Sequence, residues 1–172
     1  GGPISLVTLD EALGRPIRVT IPDCAWQRVR ASRAVIEKHV AAGDVIYGVN
    51  TGFGKLCNKR ISNTELAKLQ ENLILSHAVG VGPPIPADLV RFMLLFKINA
   101  LLAGASGIQP TCVEWLVAML NADLLPVVPT RGSLGASGDL APLAHLVMPM
   151  IGRGTVLENG TEQPASAAMT RH

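Results

Sequence analysis

Ala136-Ser137-Gly138 stands inside the run GSLGASGDLAPLAH, which begins at Gly132 and reaches His145. Three small residues in a row allow a strained turn to close on itself. The nitrogen of Gly138 reaches the carbonyl carbon of Ala136 only where side chains stay out of the way, and glycine tolerates the dihedral angles such a ring needs. Loss of water from Ser137 would then leave a dehydroalanine within a five-membered imidazolone. That product is an electrophile, which no ordinary side chain supplies, made from the backbone itself. A second Ala-Ser-Gly, at Ala105-Ser106-Gly107, has no matching flank and reads as the end of a helix.

Other residues could serve such a centre. Tyr47, the only tyrosine in the chain, opens the segment YGVNTGFGKL. Its glycines Gly48, Gly52 and Gly54 suit a mobile loop over a small substrate, and equally a plain turn. A Walker-type phosphate loop is excluded, because Val49 stands where the first glycine belongs and Leu56 follows Lys55 in place of Ser or Thr. Asn50, Phe53 and Gly54 follow closely and are candidates to line a pocket. His77 continues the apolar stripe Leu66, Leu69 and Leu73 at helical spacing, as a satisfied core histidine would. Near a substrate, its ring could hydrogen-bond an imidazole or a phenol, but offers nothing to a plain phenyl ring. Asp139 reads as the N-cap of a short helix running towards Ile151. The positive end of that helix would point at the Ala136-Ser137-Gly138 turn, where it could stabilise developing negative charge. His145, among Leu143, Leu146 and Val147, reads as structural. His39, beside Glu37 and Lys38, reads as solvated.

The run from Gly132 to His145, with Asp139, Pro142 and His145 in register, resembles the signature of the ammonia-lyases and aminomutases that act on aromatic amino acids. The Tyr47 and His77 segments resemble the same family, in the same order. The resemblance implies that Ala136, Ser137 and Gly138 cyclise by themselves to 4-methylideneimidazole-5-one (MIO), with Asp139 taking part in forming it. It implies no metal and no nucleotide cofactor. It makes Tyr47 the base that removes the β-proton of an L-amino acid, and places His77 at the substrate, beside the candidate pocket residues Asn50, Phe53 and Gly54. A free phenol titrates at about 10, so such a base must be helped to ionise. The implied reaction is loss of ammonia to give a trans-2-enoate. L-Histidine, giving urocanate, is the first reading. A tyrosine lyase, a tyrosine aminomutase, or an inactive fragment or assembly module are the alternatives. Family members are much longer tetramers, so the chain is expected to be their N-terminal, MIO-bearing domain, residues 1–172, without the C-terminal helical bundle. It would need that part, or a complementary chain, for activity.

The elements that must position these residues are mostly helical. Residues 4–9 and 16–21 read as short strands. A helix follows Pro22, capped by Asp23 and ended by Gly43. Capping boxes at residues 62–65 and 111–114 open two more helices. Residues 89–102 are apolar nearly all round, which predicts burial on most sides. Residues 126–129 read as extended, and Asn159-Gly160 predicts a hairpin. The helices of residues 66–77 and 89–102 are expected to pack together, bringing the Tyr47 loop towards Ser137. The fold class is therefore mainly α with small β pieces.

Composition agrees with one helical domain. The chain has 172 residues, 48% of them hydrophobic and 3% aromatic, so aliphatic side chains must supply the core. A net charge of +2, with no basic block, does not suggest a nucleic-acid partner. The three cysteines are odd in number and form no CxxC pair, which is the pattern of reduced thiols in the cytoplasm. No membrane-spanning stretch and no secretion signal is visible, and the Gly-Gly-Pro start reads as a trimmed end.

Overall fold

A computed structural model describes residues 2–51 and 65–171. The first element is a helix, α1 (Leu6–Ala12), where the sequence suggested a strand. Ser5 decides this locally, because its Oγ accepts the Thr8 N–H at 3.1 Å and satisfies one of the free amides of a helix start. Residues 16–21 form no strand. Their backbone is paired to a side chain: Val19 N–H donates to Asn121 Oδ1 at 2.7 Å, and Asn121 Nδ2 returns a bond to Val19 O at 3.0 Å.

Helix α2 (Asp23–Ala42) ends as expected on Gly43, at φ 85°. Its N-cap is Pro22, whose carbonyl accepts the Ala25 N–H at 2.9 Å. Asp23 is thus not the cap. It sits in the first turn, where its charge complements the helix dipole. Helix α3 (Leu66–His77) ends on His77 itself. The capping box expected at 62–65 lies, except for Glu65, outside the described residues.

After β1 (Val81–Pro84), helix α4 (Ala87–Leu101) buries the stripe Val90, Leu94, Ile98 and Leu101. The expectation of burial on most sides fails, since Leu89 is 50% and Phe96 46% exposed. Helix α5 (Pro110–Asn121) supplies Val113, Leu116 and Leu120 to the same core. Its start is also shifted from the sequence reading: Gln109 is the N-cap and Pro110 opens the helix, so Thr111 lies inside it and caps nothing. Proline suits that first position because its φ is preset and its missing N–H is not needed there. The Arg91 guanidinium ties α4 to the turn after α5, with Nε 2.6 Å and Nη2 2.9 Å from the two carboxylate oxygens of Asp123.

Among the described residues, two small antiparallel sheets complete the frame. Strand β3 (Pro129–Arg131) pairs with β1, setting Val81 opposite Arg131. Strand β2 (Leu125–Pro126) pairs with β4 (Thr155–Glu158), which pairs with β5 (Thr161–Pro164). The β4–β5 turn is the hairpin read from the sequence, with Asn159 at φ 51° and Gly160 at φ 79°. Two left-handed residues in a row are what a type I′ turn demands. Helix α6 (Leu140–Val147) follows, in chain order, β3 and a single 3-10 turn at Gly135–Ser137. Helix α7 (Ala165–Met169) closes the described chain.

The expected packing of α3 on α4 is not the arrangement found. Helix α4 lies against α5, and α3 lies against α6. The apolar stripe of α4 is consumed by α5, and β1 carries the chain from α3 across to β3 before α4 begins.

Candidate active site

The Ala136-Ser137-Gly138 segment forms an open turn. Gly138 N–H donates to Gly135 O at 3.2 Å, and Gly138 adopts φ 82°. A Cβ built on Gly135 or Gly138 would meet nothing within 4 Å, so glycine at 138 is required by its dihedral angle and not by crowding. Asp139 follows at φ 57°, also left-handed. It occupies the N-cap position of α6, but its carboxylate makes no cap bond there. It accepts a hydrogen bond from the Ser133 hydroxyl instead. Ser133 was not legible as part of the site; its signal lies only in the shared loop, six residues before Asp139.

Tyr47 begins a turn of three residues after α2 and is 62% exposed. Asn50, a candidate pocket residue, is buried with its amide spent on its own loop: Oδ1 accepts the Ile46 N–H at 2.8 Å and Nδ2 donates to Asp44 O at 2.8 Å. It shapes the turn that presents Tyr47. Gln70 Nε2, on α3, donates to Gly48 O at 3.2 Å and to Val49 O at 3.3 Å. That clamp was missed at the sequence level, because a polar residue on a helix normally reads as solvated. Phe53 and Gly54 lie outside the described residues.

His77 ends the same helix. Its Nδ1 is 2.7 Å from Leu73 O, a carbonyl that can only accept, so Nδ1 carries a proton. Gln70 and His77 are two turns apart on α3 and therefore share a face. Helix α3 thus holds the Tyr47 turn through Gln70, carries His77 at its end, and packs against α6, which starts two residues after Gly138.

His145 on α6 is half-buried, and burial pushes its pKa below the usual histidine value. Its Nε2 accepts the Gly80 N–H at 3.0 Å. His39 is exposed and pairs with Asp44 at 2.7 Å, as a solvated histidine would. Among the described residues, no group of three or more His, Cys, Asp or Glu side chains could hold a metal ion, and no helix is long and apolar enough to cross a membrane.

The chain belongs to the aromatic amino acid lyase family, whose model matches residues 4–172. It is 52% identical over 147 residues to a histidine ammonia-lyase of Geobacillus thermodenitrificans, covering 86% of this chain and 29% of that protein. It superposes on the phenylalanine aminomutase of Pantoea agglomerans with a TM-score of 0.92, at 32% identity, over 99% of this chain and 33% of that one. It also superposes on the histidine ammonia-lyase of Trypanosoma cruzi with a TM-score of 0.85, at 34% identity, over 96% of this chain and 32% of that one. The chain thus spans about a third or less of these relatives' lengths.

Proposed function

We propose that this chain is the N-terminal, MIO-bearing domain of a histidine ammonia-lyase, which eliminates ammonia from L-histidine to give urocanate. The observation that carries the reading is the turn at Ala136-Ser137-Gly138, with Gly138 already left-handed and open space beside the backbone of Gly135 and Gly138. Those features fit ring closure. The Gly138 nitrogen would give up its proton, and with it the bond to Gly135 O, while Asp139, held by Ser133, stands next in the chain. The heterocycle supplies an electrophilic methylidene carbon, which makes the substrate's amine a better leaving group.

This chain's own side chains do the rest. Tyr47 takes the proton from the substrate's β-carbon. His77, its ring fixed through Nδ1 on Leu73 O, presents Nε2 to an imidazole N–H of the substrate. Holding both reactants in place lowers the barrier further. The N-terminus of α6 stabilises negative charge that develops beside the turn.

Identity of 52% to a histidine ammonia-lyase favours histidine elimination. The likeness in fold is shared with an aminomutase and does not favour either reaction. Activity requires the length that the relatives have beyond this match, and residence in the cytoplasm as a homotetramer belongs to the same reading.

The test is made on the full-length protein. Ring formation loses two waters, so the intact mass should be about 36 Da below that of the sequence. L-Histidine should be converted to an enoate, followed by its ultraviolet absorbance. An unshifted mass in an active preparation, or turnover of tyrosine and not histidine, would overturn the reading.

A further inference from the structure

Three segments from distant parts of the chain cross at Gly80, Gly132 and His145. Gly80 comes three residues after His77, Gly132 opens the run that leads to Ser137, and His145 lies on α6. Pairing of Val81 with Arg131 sets Gly80 opposite Gly132. The approach is close. A Cβ on Gly132, which adopts φ 141°, would lie 2.9 Å from Gly80 Cα, and a Cβ on Gly80 would lie 3.0 Å from His145 Nε2 and 3.2 Å from Pro129 Cβ. Gly80 is thus closely packed by Gly132, Pro129 and His145, and its part-buried amide is best kept paired. Leu143, Leu146 and Val147, the neighbours of His145 on α6, offer it no side-chain acceptor. His145 does, through Nε2 at 3.0 Å, and only while that nitrogen keeps its lone pair. Burial of the ring favours the neutral form.

We infer that His145 is a positioning residue for the proposed reaction: through Gly80 it sets the spacing between the end of α3, which carries His77, and the run 132–139, which carries Ser137. The inference rests on the histidine-lyase reading and names a residue that touches neither substrate nor heterocycle. An apolar residue in its place would fill the space but leave the amide unpaired.

The test compares H145A, H145Q, G80A and the double variant G80A/H145A in the full-length protein, measuring KM and kcat for L-histidine, intact mass and melting temperature. H145A should raise KM roughly tenfold while the mass loss stays complete. H145Q keeps an acceptor of similar reach and should return KM to within about threefold of the wild type. G80A should resemble H145A. In the double variant the two effects should fall short of multiplying, because the two positions share one contact. If H145A does not fold, H145Q and G80A carry the same comparison. The inference is overturned if H145A shifts only the melting temperature, or if H145Q behaves as H145A does. A wild type with unshifted mass and no turnover defeats the inference together with the parent reading. An active wild type beside kinetically unchanged variants defeats the inference alone.

Discussion

Tyr47 and His145 show how far a residue's type foretells its work. Tyr47 stands on an exposed turn whose shape depends on a buried amide, Asn50, three residues on. If Tyr47 is the base, Tyr47→Phe in the full-length protein should lower kcat by about 100- to 10,000-fold. KM should stay close to the wild-type value, and the intact mass should still show ring formation. Steady-state kinetics beside mass spectrometry separate these outcomes. His145 makes a prediction about pH. Burial holds its folded pKa below 6.5, so the unfolded chain binds the proton more readily. Its contribution to stability is whole above about pH 6.5 and is lost as the pH falls from there towards the folded value. Urea midpoints measured from about pH 7.5 to about pH 5 should decline, and H145Q should remove that part of the slope.

Helix α3 is the element on which the candidate site depends. It carries His77, packs on α6, and holds the Tyr47 turn through Gln70. Gln70→Ala removes two exposed bonds worth about 1 kcal/mol or less each, so thermal stability should barely change. Release of the turn should instead lower kcat by about tenfold, which a kinetic assay beside a melting curve would reveal. The β4–β5 hairpin provides a contrasting case with no part in the site. Gly160 sits at φ 79° in open space, so Gly160→Ala meets no clash and pays only for the left-handed backbone. A loss of about 1–2 kcal/mol is expected from denaturant unfolding, with kinetics unchanged.

Across the whole molecule, several large apolar side chains face outward: Leu6 is 84%, Val7 68% and Leu134 66% exposed. Leu6 and Val7, with Leu9, Asp10, Leu13 and Phe92, line an open cavity of about 540 Å³ between α1 and α4. Exposed apolar surface of this kind marks contact sites. The relatives carry roughly two thirds more of their length beyond the match. An apolar dye should therefore fluoresce several-fold more strongly per mole on the 172-residue chain alone than on the full-length protein. Equal signals would show that this surface stays open.

What the sequence determined by itself was whatever depends on neighbours along the chain. The small-residue turn before a helix, the hairpin at Asn159-Gly160, the glycine stop of α2 and the mainly helical class all follow from local dihedral and capping preferences. The family signature was legible for the same reason, since its residues are contiguous. Local signals failed where two choices were close in energy: Ser5 started a helix at Leu6 within the stretch read as a strand, and Pro110 displaced the capping box at Thr111. Tertiary structure alone decided that α3 pairs with α6, that Gln70 grips the Tyr47 turn, that Ser133 holds Asp139, and that His145 meets Gly80. The bond between His145 and Gly80 alone joins residues 65 positions apart. Formation of such contacts depends on the burial and closure of the whole chain, which no pattern within one segment records.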